Sequence, residues 1–212
     1  MSIIYKSNNG EMIGFFSELT SELSVTPEQH IPFGVYPLEA MGERHFAEVS
    51  NALKEINPYD TSDILDLIKN ASMTYVIGNG GSAATATHFA ADLSKATGLS
   101  IMSLDNLSAL TAWGNDAGIE DVFCAQLQRL QRGDNEVLVA ISTSGNSPNI
   151  VKAAEHFNGA VIALTGPGGG KLAELNNVIA HMAIDAEEIE VIEDCHSVIC
   201  HSIVRMLKIW QT

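Results

Sequence analysis

The sequence predicts an α/β protein built on a five-stranded parallel sheet flanked by helices. Three observations carry that expectation. From residue 74 onward, short apolar segments alternate with segments of helical periodicity. Each short segment is an almost continuous apolar run, as expected of strands covered on both faces. Several of these segments run straight into turns rich in glycine or hydroxyls, and helix starts follow. Such alternation gives parallel strands joined by right-handed crossovers, with ligands gathering at the carboxyl ends of the strands.

In chain order, residues 1–37 form an N-terminal extension, with helical periodicity over Glu11–Leu19 and then Pro27, Pro32 and Pro37. Residues 38–212 form the domain with its leading helices. A helix spans Leu38–Ile56, and Asp60-Thr61-Ser62-Asp63 caps another that runs to about Asn70. The strands are Thr74–Ile77, Leu99–Leu104, Glu136–Ser142, Ala160–Thr165 and Val178–Ile184. Helices fill 82–96, 106–116, 120–131 and 148–157, and a final one runs from about Glu190 to Trp210.

Composition narrows the function. The 212 residues carry 26 acids against 11 bases, a net charge of -15. Nucleic acid and anionic membranes need clustered Lys and Arg, so neither is expected as a partner. No apolar run reaches the length of a membrane span, and the first residues lack the apolar core of a signal peptide. Cys124, Cys195 and Cys200 form no CxxC pair, which fits a reducing cytoplasm without a disulfide framework.

Two turns carry the chemistry. Gly78-Asn79-Gly80-Gly81-Ser82 joins the first strand to a helix, where backbone N–H groups and the positive end of the helix dipole favour an anion. Equally, it is a structural turn capped at Ser82. The second turn, Ser142-Thr143-Ser144-Gly145-Asn146-Ser147, precedes Pro148 and a helix. Ser147 is a natural N-cap, but one cap explains one hydroxyl and leaves three. Hydroxyls and N–H groups at a helix start form a neutral phosphate cradle, which suits a stretch with no base between Lys95 and Arg129. Thr165–Gly170 is either a third ligand loop or a structural turn. His88 and Asp92 share a helix face at i, i+4, and the last helix carries Glu193, His196 and His201. Imidazole and carboxylate together suit acid–base work near neutrality.

These residues resemble the sugar isomerase (SIS) domain: the glycine turn with His88-Phe89-Ala90, then Ile141 to Ser147 and Leu164-Thr165-Gly166. Within that family they are most similar to the bacterial phosphoheptose isomerases. The likeness covers about residue 70 to the end and, more loosely, the helices from about 38; residues 1–37 lie outside it. It implies a flavodoxin-like sandwich and a cytoplasmic homotetramer with active sites at subunit interfaces. The implied reaction converts sedoheptulose 7-phosphate to D-glycero-D-manno-heptose 7-phosphate through an enediol. Ser142, Thr143, Ser144 and Ser147 would hold the phosphate. Asn79, Gly80, Gly81, Ser82 and Asp105 would line the sugar pocket. The catalytic base would be Asp92 or Glu193, with His201 as proton carrier, and no organic cofactor is implied. The family's zinc ligands fall on His88, Asp92, Glu193 and His201. Asp92 stands where the family has Glu, and Glu193 where it has Gln. Glu193 and His201 are eight residues apart, about 12 Å along a helix, which strains a shared ion. The alternatives are an isomerase of a pentose or hexose phosphate, or a non-catalytic phosphosugar-binding regulator; His88 and His201 weigh against the latter.

Overall fold

The computed structural model describes residues 38–57 and 59–210. The expected extension over 1–37, with its helix at Glu11–Leu19, lies outside the described residues. The chain divides into two compact units, Met1–Met41 and Gly42–Thr212, and the sheet belongs to the second.

The elements are α1 (Leu38–Lys54), α2 (Asp60–Asn70), β1 (Met73–Gly78), α3 (Gly81–Thr97), β2 (Ile101–Ser103), α4 (Leu107–Ala117), α5 (Val122–Leu130), β3 (Glu136–Ser142), α6 (Pro148–Glu155), β4 (Ala160–Thr165), α7 (Gly170–Ala173), β5 (Val178–Ala183) and α8 (Ile189–Trp210). The five strands form one sheet in the order β2-β1-β3-β4-β5. Every pairing is parallel. No described helix is long and apolar enough to cross a membrane.

The central strands show why the apolar runs are unbroken. Along β3, Val137, Val139 and Ile141 enter a core shared with α2, α3 and α8. The alternating Leu138 and Ala140 enter a second core with α5 and α6. β4 repeats the division, with Ile162 and Leu164 on one side and Val161 and Ala163 on the other. A strand with helices on both faces has no wet side on which to place polar residues.

The edge strands depart from the expectation. β2 is only three residues long and none of them is buried, and β5 alternates buried and exposed positions at Ala180 to Ala183. An edge strand is covered less, so its outward side chains meet water. Two cap assignments also change. α2 has Tyr59 at its N-cap and no side-chain capping bond. Ser147 occupies the N-cap of α6 without capping it through its hydroxyl. The short α7 follows the glycines after β4, where no helix was expected.

The order of strands reverses direction between β1 and β3, which are neighbours. β1 leads through its turn to α3 on one face, and β3 to α6 on the other. The two chemistry-bearing turns therefore open side by side at the carboxyl edge, where a crevice forms in such sheets.

Candidate functional site

The hydroxyl-rich turn leaves β3 at Ser142 and enters α6 at Pro148. Its shape is set internally. The Gly145 N–H donates to the Ser142 carbonyl at 3.0 Å, and the Asn146 N–H donates to Ser144 Oγ at 3.1 Å. Buried Ser142 donates its hydroxyl to Ser147 Oγ at 3.2 Å, which accounts for the missing cap. Thr143 is half-buried and Ser144 exposed. The result is a hydroxyl-rich turn held at the start of α6, whose leading N–H groups lack helical partners.

The turn after β4 holds this cradle in place. The Gly166 N–H donates to the Thr143 carbonyl at 2.8 Å, and the Leu172 N–H to the Gly145 carbonyl at 2.9 Å. Asn146 Oδ1 accepts from the Lys171 N–H at 3.1 Å. Gly145 has φ of 60°, and a methyl group there would overlap the Gly169 carbonyl oxygen. Of the two readings of Thr165–Gly170, these contacts favour the structural one: backbone bonds tie it to the cradle as a buttress.

The glycine turn starts α3 at Gly81, with Gly80 at the N-cap. Ser82 is therefore not the cap; it is buried in the first turn. Asn79, expected to face a sugar, is exposed and also holds a neighbour: Nδ2 donates to Asn149 Oδ1 at 2.8 Å, and Oδ1 accepts from Asn149 Nδ2 at 2.9 Å. Asn149, 8% exposed, escaped the sequence reading. The available signal was a polar residue beside apolar Ile150 in the first turn of a helix. Asp105 lies half-buried on the connection from β2 to α4, also past a strand's carboxyl end.

α3 and α8 pack together, with Thr85 Oγ1 and Ser197 Oγ sharing a hydrogen bond of 3.1 Å. This brings the acid–base residues into one group. His88 Nε2 lies 3.3 Å from Asp92 Oδ2, and His201 Nε2 lies 4.0 Å from the same oxygen. The two imidazoles stand edge to face, 5.0 Å apart at their centroids. One ligand atom from each of His88, Asp92 and His201 lies within 4.8 Å of the others. Glu193 is not in that group. Its carboxylate rests against Gly81 at the start of α3, and a side chain at 81 would displace it. The four-residue zinc set thus separates into three clustered residues and one apart, as the spacing along α8 foreshadowed. Glu193 stands outside the three residues whose ligand atoms lie within 4.8 Å of one another.

His196 turns away from this group. It is buried, its Nε2 lies 3.0 Å from the Thr165 carbonyl oxygen and so donates to it, and its Nδ1 has no partner. Burial pushes its pKa down, against a smaller opposing effect of the Thr165 bond; burial also lowers that of His181. For a histidine lowered on folding, the unfolded chain takes up the proton first. Stability is therefore intact above about pH 6.5 and declines below it, by at most about 1.4 kcal/mol per pH unit per proton. Urea midpoints at pH 7.5 and 5.5 measure this. The drop should shrink in His196→Gln, which retains an N–H donor and does not titrate.

Comparison with known proteins bears on what this arrangement serves. The SIS domain family model matches residues 46–166. The chain is 34% identical over 178 residues to the phosphoheptose isomerase of Helicobacter pylori, covering 79% of this chain and 91% of that one. The chain belongs to the phosphoheptose isomerase family of SIS-domain proteins. It is also 40% identical over 148 residues to the phosphoheptose isomerase of Helicobacter hepaticus, covering 65% of this chain and 74% of the other. The solved phosphoheptose isomerase of Neisseria gonorrhoeae superposes with a TM-score of 0.73 at 36% identity, over 81% of this chain and 98% of that one. The five-stranded parallel sheet of the family is the one expected from the sequence.

Proposed function

We propose that this phosphoheptose isomerase family member interconverts sedoheptulose 7-phosphate and D-glycero-D-manno-heptose 7-phosphate. The observation that carries the reading is the presence of two unlike devices in one domain. One is a cradle of hydroxyls at Ser142, Thr143, Ser144 and Ser147. The other is a group of two imidazoles and a carboxylate on α3 and α8.

The cradle takes the phosphate, whose binding positions the far end of the sugar and contributes energy from a group that does not react. Gly80, Gly81, Ser82 and Asp105 belong to the sugar pocket. A carboxylate removes the proton from C1 of the ketose, and the electron pair moves to give the enediol. A proton passes from O1 to O2, and C2 receives one to complete the aldose. Glu193 is the base in this reading. Its carboxylate has no hydrogen-bond or ion-pair partner among the described residues and lies against the glycine turn, whereas Asp92 lies close to two histidines. His201 carries the proton between the oxygens, and Asp92 orients it.

His88, Asp92 and His201 also fit a metal, because two imidazoles and a carboxylate converge within ligand reach. We read them as a zinc set whose occupation is exclusive with proton transfer: with the ion bound, His201 would hold it rather than carry a proton. Bound zinc would polarise the substrate's oxygens and stabilise negative charge on them.

The functional unit in this reading is a cytoplasmic homotetramer with active sites at subunit interfaces. Supporting it, α4 buries none of its residues, and Phe46, Leu107 and Ile119 are exposed. The three cysteines are free and buried, which suits a reducing compartment.

The test is turnover by the purified protein of sedoheptulose 7-phosphate and of pentose and hexose phosphates, followed by NMR. The expected kcat/KM is at least about tenfold higher for the heptulose phosphate, because the hydroxyls of the longer sugar find partners in a matching pocket. Preference for a shorter sugar, or binding without conversion, contradicts the reading.

A further inference from the structure

The pair Asn79–Asn149 has a directionality that the catalytic assignment leaves unused. Two amides that exchange hydrogen bonds can both be turned over without losing either bond, so the pair alone does not fix which atom faces where. A third contact fixes it. Asn149 Oδ1 also accepts from the Ile150 backbone N–H at 3.0 Å. That N–H is shared with the Ser147 carbonyl, also at 3.0 Å, but it can only donate, so an Asn149 NH2 in the same place would set donor against donor and the oxygen lies on that side. Asn149 Nδ2 must then face Asn79 Oδ1, at 2.9 Å. Asn79 is left with its oxygen engaged, one Nδ2–H given to Asn149 and the second Nδ2–H without a partner among the described residues.

We propose that Asn149 is a positioning residue that locks the amide of Asn79, so that a donor rather than an acceptor faces the sugar. The lock runs from the α6 backbone, through Asn149, to the turn after β1. It crosses the point where the strand order reverses, and so joins the phosphate side of the site to the acid–base side. Asn149 is buried and does not itself meet the ligand, whereas Asn79 is exposed at the carboxyl edge. An N–H there suits a substrate whose carbonyl oxygen gains negative charge as the enediol forms; an amide oxygen in the same place would repel it. The inference rests on the isomerase reading above and deepens it.

A double-mutant cycle tests it, with Asn79→Ala, Asn149→Ala and the pair together assayed on sedoheptulose 7-phosphate. Each single change should lower kcat by about tenfold, and the double change by no more than either single one, because both remove the same device. Competitive inhibition by inorganic phosphate, which needs only the cradle, should stay within about twofold of wild type. Asn149→Asp keeps the acceptor for Ile150 and sets an oxygen against Asn79 Oδ1. It should match the loss in Asn149→Ala while folding normally. Losses that multiply in the double variant overturn the lock. So does a phosphate inhibition constant that weakens in step with kcat, or an Asn149→Asp variant with wild-type kcat. If the wild type binds the sugar phosphate without converting it, the proposed activity fails on its own. The lock is then scored by the same cycle in calorimetric Kd. Absence of sugar phosphate binding by the wild type overturns both.

Discussion

Glu193→Gln is expected to lower kcat at least about a hundredfold, the scale of a lost general base. Glutamine keeps the length and shape of the side chain but cannot accept a proton from carbon. Because the Glu193 carboxylate already rests against Gly81, the replacement amide fits the same space and the fold should not change. Asp92→Asn is expected to cost less, about tenfold, because it weakens the orientation of His201 and leaves the base in place. The Asp92 carboxylate lies 4.0 Å from His201 and 3.3 Å from His88. Steady-state kinetics on both variants, with circular dichroism to confirm folding, separates the two roles. The reverse ranking assigns the base to Asp92 and makes Glu193 a neighbour of the helix start. Adding the second change to the first should cost little if Glu193 already limits proton removal.

Gly145→Ala is expected to weaken phosphate binding and to destabilise the domain. Positive φ at a residue with a Cβ costs about 1 kcal/mol, and forcing a methyl into packed backbone costs about 1–3 kcal/mol more. The methyl would overlap the Gly169 carbonyl oxygen, so either the cradle or its buttress must move. If the buttress gives way, the Gly145 carbonyl loses the Leu172 N–H that it now accepts. The expected result is a KM for sugar phosphate at least about tenfold higher, with a lower denaturation midpoint. Gly168 also has positive φ, but a methyl there meets nothing within 4 Å, which makes Gly168→Ala a control for strain without overlap. A Gly145→Ala enzyme with wild-type KM would show that the loop's shape is not what grips the phosphate.

Much of the fold could be read from the sequence because its centre is apolar on both faces. β3 and β4 were expected at the bounds they have, since each residue along them is buried or nearly so. The edges were harder. β2 and β5 looked like the others because hydrophobicity reports what a strand can bury, not which strand lies outermost. The grouping of His88 with Asp92 follows from helix period alone, and the arrival of His201 needs only that α8 packs on α3. Eight residues along one helix, about 12 Å, already meant that Glu193 and His201 could share an ion only by leaning toward each other or if Glu193 preceded the regular helix; the second route is closed, because Glu193 lies inside α8. What could not be read were contacts between turns distant in sequence. Nothing local marks Thr165–Gly170 as a support for Gly145, or Asn149 as the partner of Asn79. The second pair is separated by 70 residues, and only the reversal of strand order brings it together. The hydroxyl of Ser147 misled for a similar reason. Its position said cap, while Ser142 offered a competing partner across the same turn.

The account rests on hydroxyls and backbone N–H groups holding a phosphoryl group without a cation. A crystal soaked with sedoheptulose 7-phosphate tests that most directly. The account predicts phosphorus density enclosed by Ser142, Thr143, Ser144 and Ser147, with the reacting carbons directed toward Glu193 and His201. Phosphorus bound anywhere else, or a sugar phosphate turned with its carbonyl end away from α8, would contradict it.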